Sequence, residues 1–191
     1  MENPMALFTT WLGDAKAGDM REPTAMTLAT AGKSGQPSAR VVLLKSYDER
    51  GFVFYTNTQS RKGNTLAENA KAALLFYWMP LQRQVRVEGE VEPVSEKEAD
   101  LYFASRHRDS QLGAWASMQS QPLENRDALM ERFNYYQLQY EGQEVPRPLH
   151  WQGYRVVPKT IEFWEEAPHR LHFRRLFIRS ETGWDMQLLN P

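Results

Sequence analysis

Residues 40–57 read RVVLLKSYDERGFVFYTN. Two apolar runs, Arg40–Ser46 and Phe52–Asn57, flank the polar turn Tyr47–Gly51. β-branched and aromatic residues on both sides of a short polar loop predict a β-hairpin. The pattern recurs outward from it. Thr24–Thr30 (TAMTLAT) alternates as a strand and leads into the turn residues Gly32–Pro37. Ala72–Trp78 (AALLFYW) reads as a buried strand that Pro80 ends. Gln84–Val94 alternates with period two: Val85, Val87 and Val91 face one way, Gln84, Arg86 and Glu88 the other. Tyr154–Trp164, Leu171–Ser180 and Trp184–Leu189 finish the chain, with Glu181-Thr182-Gly183 turning between the last two. That is about eight strands, mostly joined by hairpins.

Helices are interposed. Leu7, Phe8, Trp11, Leu12 and Ala15 share one face of a helix over about residues 4–18, with Gly18 as its stop. Ser60 caps a short helix through Ala67. Ser95 and Glu98 form a capping box that opens a helix through Ser105. Leu129, Phe133 and Tyr136 mark one face of a longer helix over 123–140. Strands and helices do not alternate regularly, which argues against a parallel doubly wound sheet. The expectation is a mainly β, antiparallel barrel with peripheral helices, forming one domain over residues 1–191.

Composition narrows the function. The chain has 191 residues, one domain's worth, with Lys plus Arg 23 against Asp plus Glu 24. A net charge of −1 excludes bulk electrostatic attraction to nucleic acid or an anionic membrane, though not a local basic pocket. No apolar stretch is long enough to span a bilayer, and the N-terminal residues lack the basic and apolar regions of a secretory signal. With no cysteine, disulfides and thiolate chemistry are excluded, and a cytoplasmic location is expected. Six Trp suit a packed core, an oligomer interface or a flat ligand.

No GxGxxG, GxxxxGK[ST] or HExxH is present. His169 and His172 are three apart on an expected strand, facing opposite sides, so no metal site is predicted. What stands out is cations near strand ends and hydroxyl-bearing residues: Arg40 and Lys45, Arg61-Lys62 at a helix start, Arg106 and Arg108, and Arg170, Arg174 and Arg175 around His172. Forked guanidinium groups and helix N-termini suit phosphate. The residues alone lead to a phosphorylated, aromatic small molecule, or to unrelated surface charges.

Five segments together narrow this: RVVLLK (40–45), GFVFYTN with SRKG (51–63), RQVRVEG (83–89), YFASRHRDSQLGAWASMQS (102–120) and IEFW with RLHFR (161–174). In order and spacing they resemble the pyridoxamine/pyridoxine 5′-phosphate oxidases, flavoproteins with an FMN-binding split barrel. The resemblance runs from about residue 4 to the C-terminus. It implies a homodimer with FMN at the subunit interface. It assigns Arg40, Arg61 and Lys62 to the FMN phosphate and Tyr55 and Thr56 to a strand end beside the flavin. It runs Val41, Val42, Leu43, Leu44 and Lys45 along the flavin, and gives Gln84, Gln119, Ser120, Trp164 and Arg174 the remaining flavin contacts. Lys45, Tyr102, Arg106 and Ser110 match the grip on the substrate phosphate. Arg170 and His172 match the catalytic pair over the pyridine ring. Tyr102 and Arg106 are four apart and fit one helix face, with Ser110 in the loop beyond. Arg170 and His172, two apart, fit one side of a strand.

The implied activity is oxidation of pyridoxamine 5′-phosphate or pyridoxine 5′-phosphate to pyridoxal 5′-phosphate, with oxygen reduced to hydrogen peroxide. Neither nucleic acid nor membrane is an expected partner. Two residues depart from the family pattern: Glu165 follows IEFW, adding an anion near Trp164, and Phe173 follows RLH where an Asp or Asn is usual. The N-terminal segment that helps cover the substrate in such enzymes is expected to be short or missing here. Rival readings are an oxidase of a phenazine-type metabolite, a non-catalytic flavin or pyridoxal-phosphate binder and, weakest, a nucleic-acid-binding barrel.

Overall fold

The computed structural model describes residues 3–191. Helix α1 (Pro4–Ala17) starts where Asn3 Oδ1 accepts from the Met5 and Ala6 backbone N–H groups at 2.7 and 3.3 Å. Pro4 fills a first-turn position that needs no N–H. Met5, Phe8, Trp11, Leu12 and Ala15 form its buried stripe. Four strands follow: β1 (Ala25–Ala31), β2 (Pro37–Leu43), β3 (Ser46–Asp48) and β4 (Gly51–Asn57). Then come α2 (Arg61–Glu68), β5 (Lys71–Trp78) and β6 (Arg83–Pro93). Three helices, α3 (Glu96–Ala104), α4 (Arg108–Ala116) and α5 (Arg126–Gln139), precede β7 (Trp151–Glu165), β8 (Phe173–Ser180) and β9 (Gly183–Leu188).

All ladders are antiparallel, in the order β2-β1-β5-β6-β7-β4-β3, with β8 on β7 and β9 on β8. The sheet curls until β2 and β4 approach without a ladder between them. The barrel is therefore split. The long strand β7 makes this possible. One edge pairs with β6, while the other serves β4 over residues 151–156 and β8 over 160–165. Between those halves the register slips beside Pro158, which has no N–H to give a ladder. Gly89 lies opposite, and a Cβ there would fall 2.0 Å from the Val157 carbonyl oxygen.

Two cores result. The barrel interior holds Phe52, Phe54, Phe76, Trp78, Val85, Val87 and Phe163, closed by α1. Phe8 is fully buried, with ring centroids of Tyr47, Phe52 and Phe76 at 5.0, 4.9 and 5.1 Å. A second cluster, Phe103, Leu112, Val145 and Trp151, packs α3 and α4 beside the strand ends, with Phe133 and Tyr136 of α5 against it.

Several expectations are corrected. Nine strands form rather than about eight. The hairpin at 40–57 is β3 with β4, while Arg40–Leu43 pairs with β1. The chain breaks step at Leu44 and Lys45, whose N–H groups donate to Thr24 and Val53 carbonyls. α4 was hidden because His107 offers no side-chain cap to announce it. α5 begins at Arg126 rather than near 123, under the Asn125 cap. Phe8→Ala is expected to lower stability by about 3–5 kcal/mol in denaturant unfolding, the cost of emptying a fully buried aromatic site. A loss under about 1 kcal/mol would mean that α1 is not integral to the core.

Candidate active site

The split between β2 and β4 opens into a cavity of about 620 Å³. Its lining includes Arg40, Val41, Val42, Leu43 and Lys45 from β2 and the link after it, Tyr55 and Thr56 from β4, Lys62 from α2, Tyr102 and Arg106 near the end of α3, Ser110 and Gln119. Four of these side chains are cations, Arg40, Lys45, Lys62 and Arg106, and among the described residues no carboxylate lines the cavity. Elsewhere arginines are paired with acids: Arg83 with Asp14 and Glu165, Arg155 with Glu92 and Glu98, Arg147 with Glu96 and Asp100.

The chain dictates where these cations sit. Ser60 Oγ accepts from the Gly63 N–H at 3.3 Å and so starts α2 beneath Lys62. Gly63 has to be glycine, because a Cβ would meet the Thr58 carbonyl oxygen at 2.1 Å. Lys62 Nζ donates to Gln119 Oε1 at 2.7 Å and to Thr56 Oγ1 at 3.0 Å. Arg40 donates through Nη1 to the Leu28 carbonyl and Thr30 Oγ1 at 3.1 and 2.8 Å, and through Nη2 to Ser38 Oγ at 2.7 Å. All these acceptors are neutral. Burial, then Arg61, lowers the Arg40 pKa; burial, then Arg40, lowers that of Lys62. Burial also lowers Arg106, which lies over Trp151 and Phe103, 5.0 and 5.6 Å from their ring centroids. Its Nη1 is buried with no hydrogen-bond partner among the described residues. Such a group calls for an anion.

An aromatic stack forms one wall. Tyr55 lies 4.1 Å from Tyr102 and 5.0 Å from Trp151, close to parallel with both. A smaller space continues past Tyr55, Thr56, Arg106, Ser110 and Gln119 to Asn57, Ala114, Ser117 and Trp151. Arg106 lies two residues past the end of α3, not on it, and Ser110 is in the first turn of α4, not a loop. Both still reach the cavity with Tyr102. Arg61 is exposed beside it, and Ser120, with φ of 68°, follows Gln119. His107 and Ser105 also line the cavity. The sequence reading missed them, and their only signal was adjacency to Arg106. Trp151 was missed too, since only the β4–β7 register, Asn57 opposite Trp151, reveals it.

The other expected residues gather elsewhere. Gln84, Trp164 and Arg174 are directly opposed across β6, β7 and β8, forming a row on the outer face of the sheet. His172 stands beside them, its ring 4.7 Å from that of Trp164, with Nδ1 accepting from the Ala167 N–H at 3.3 Å. Arg170 and His172 are not on a strand: a tight turn precedes β8, with His169 and Arg170 both left-handed at φ of 61° and 63°. Two consecutive non-glycine residues in that region store strain of the kind that clusters at functional sites. Among the described residues, the lining of neither space includes Gln84, Trp164, Arg170, His172 or Arg174. Within one protomer the expected residues thus fall into two separate groups. The departures lie apart from both. Glu165 and Phe173, neighbours of Trp164 and Arg174 along their strands, face the opposite way. Glu165 pairs with Arg83 at 2.7 Å, and Phe173 lies beside Trp11 and Phe163. The expected anion beside Trp164 is thereby corrected.

Residues 14–140 match the family model described as pyridoxamine 5′-phosphate oxidase, and residues 151–191 match the pyridoxine 5′-phosphate oxidase C-terminal dimerisation region. The chain belongs to the pyridoxamine 5′-phosphate oxidase family. It is a homodimer. The pyridoxine/pyridoxamine 5′-phosphate oxidase of Caulobacter vibrioides is 55% identical over 190 residues, covering 100% of this chain and 86% of the relative. That of Trichormus variabilis is 52% identical, covering 99% and 89%. Among solved structures, PhzG from Burkholderia lata, in complex with tetrahydrophenazine-1-carboxylic acid, superposes with a TM-score of 0.94 at 36% identity, covering 100% of this chain and 94% of that one. An FMN-binding protein from Nostoc punctiforme, with a TM-score of 0.79 at 15% identity, shares the fold. No helix among the described residues is long and apolar enough to cross a membrane.

Lys62 yields a pH prediction. Its folded pKa lies below the ordinary lysine value, so the unfolded chain binds more protons in the window between the two. The stability of ligand-free wild type relative to Lys62→Met should therefore rise with pH through that alkaline window. Urea midpoints of both proteins across a pH series test this; a constant difference, or one moving against wild type, would contradict it.

Proposed function

We propose that the protein oxidises pyridoxamine 5′-phosphate or pyridoxine 5′-phosphate to pyridoxal 5′-phosphate, using FMN and oxygen and releasing hydrogen peroxide. The observation that carries this reading is the cavity with four cations and, among the described residues, no carboxylate, where Arg106 holds a buried donor with no partner among those residues. Two phosphates would occupy it. Arg40 and Lys62, with Arg61 and the α2 N-terminus, fit the FMN phosphate. Lys45, Tyr102, Arg106 and Ser110 fit the substrate phosphate.

The donor set therefore suits FMN, whose isoalloxazine ring, when bound, supplies hydride acceptance and reoxidation by oxygen. Thr56 and Gln119, already hydrogen-bonded to Lys62, extend the polar cradle, and the edge Val41–Leu43 offers backbone groups alongside, whereas Leu44 turns into the barrel core and lines no part of the cavity. Gln84, Trp164 and Arg174 suit the ring: Gln84 can donate and accept at a pyrimidine edge, and Arg174 can stabilise negative charge there. Because that row lies outside its own protomer's cavity, a second copy of the chain supplies it in the homodimer. Arg170 and His172 belong to the same half-site and orient the pyridine ring. The substrate phosphate grip supplies remote binding energy that fixes the reacting carbon. With the amine, water completes the reaction and ammonia leaves. A cysteine-free chain of this kind fits a cytoplasmic location.

The purified protein is expected to show an oxidised flavin band that bleaches on anaerobic addition of pyridoxamine 5′-phosphate and returns in air with peroxide release. Persistence of the band with substrate bound would favour a binding protein. Bleaching by a reduced phenazine carboxylic acid alone would assign the site to that chemistry. Arg106→Ala should raise KM for the phosphorylated substrate by about 10- to 100-fold, the scale of a charged hydrogen bond. Unchanged KM would remove Arg106 from the phosphate grip.

A further inference from the structure

Glu162 is 4% exposed, yet it lies on the outer, half-wet face of β7, two residues from Trp164. A buried carboxylate persists only with partners. It has two. Oε1 accepts from Arg174 Nε at 2.8 Å, and Oε2 accepts from Arg86 Nη2 at 2.6 Å. The two arginines differ. Arg86 has a second carboxylate, Glu88, at 3.2 Å, whereas Glu162 is the only acid paired with Arg174 among the described residues. On its other side Arg174 Nη1 donates to the Asn190 carbonyl at 3.0 Å. The tail is itself tied down one residue earlier, where the Leu189 N–H donates to the Arg174 carbonyl at 3.0 Å. Nε and Nη1 are thus both engaged, and Nη2 has no partner among the described residues. Rotamer freedom is removed from a long side chain while one donor group is left to face outward.

We infer that Glu162 and the C-terminal Asn190 carbonyl are a two-sided clamp that positions Arg174 for the flavin. Glu162 touches no ligand; it is a positioning residue, and Arg174 is the group it aims. The inference rests on the flavin reading above. It also gives the last residues of the chain a task at the site, through a backbone atom that no sequence motif would single out.

The test is FMN release from the diluted holoenzyme, followed by flavin fluorescence, in wild type, Glu162→Gln, a chain lacking Asn190 and Pro191, Arg174→Ala, and each of the first two changes combined with Arg174→Ala. Glu162→Gln should weaken FMN binding about tenfold or more, and the shortened chain should move the same way. In the Arg174→Ala background neither change should weaken it further, because both act through Arg174. With FMN saturating, Glu162→Gln should shift KM for pyridoxamine 5′-phosphate by less than it shifts FMN affinity. If Glu162→Gln does not fold as a dimer, the shortened chain and its Arg174→Ala combination carry the test alone. Wild-type affinity in the clamp variants alongside a weakened Arg174→Ala, or losses that simply add to that of Arg174→Ala, would overturn the clamp and leave the flavin reading standing. A wild-type protein that takes up no FMN would overturn both.

Discussion

Four cations share one cavity with no carboxylate among the described residues to balance them, and much of the remaining architecture follows from tolerating that arrangement. Charges of one sign, partly buried, depress one another's pKa and cost folding free energy. Burial lowers the pKa of Arg40, Lys62 and Arg106, and a neighbouring cation adds to it at Arg40, from Arg61, and at Lys62, from Arg40. The chain offsets the cost with neutral acceptors, namely Thr30, Ser38, Thr56 and Gln119, and with the aromatic faces under Arg106. A phosphate would satisfy these groups far better than hydroxyls do. The ligand-free site is thus held ready by a barrel whose stability lies elsewhere, in the Phe and Trp cluster closed by α1.

The second constraint is geometric. β7 serves three neighbours because it is long: its 151–156 half pairs with β4 and its 160–165 half with β8 on one edge, while β6 runs along the other with a register shift beside Pro158. The β4 half places Tyr55 and Thr56 at the cavity, and the β8 half builds the outer-face row of Gln84, Trp164 and Arg174. One strand therefore carries parts of both groups, and the dimerisation region matched over residues 151–191 contains all of β7. In the proposed reading, the second copy of the homodimer supplies the complementary group.

Much of this was legible in the residues. Period-two alternation at Gln84–Val94 gave the buried Val85, Val87 and Val91, and the capping box at Ser95 opened α3 as expected. Short-range signals failed where long-range pairing decided. Arg40–Leu43 has the pattern of a hairpin strand, but its partner is β1, and nothing local distinguishes the two choices. His107 starts α4 without a cap, so Ser110 was placed in a loop. Arg170 and His172 carry strand-like neighbours, while the left-handed pair before β8 is set by the turn rather than by glycine or asparagine. Of the site, residue types and clusters were readable; the division of the set between the cavity and the outer sheet face was not. The absence of acids from the cavity emerges only once the sheet has brought distant segments together. Glu165 shows the same limit in reverse, since its sequence position suggested the flavin side and its strand face assigns it to Arg83.

The central claim is that one protomer's cavity works with the other protomer's outer-face row. Co-expression of Arg106→Ala and Arg174→Ala chains, assayed at limiting FMN and with substrate well below the wild-type KM, tests it most directly. Each variant alone should be nearly inactive. In random mixed dimers one of the two sites recovers both arginines, so activity should return to about a quarter of wild type. Activity no higher than that of the parent variants would mean that Arg106 and Arg174 serve the same protomer's site, and the account of a site completed by the second copy would fail.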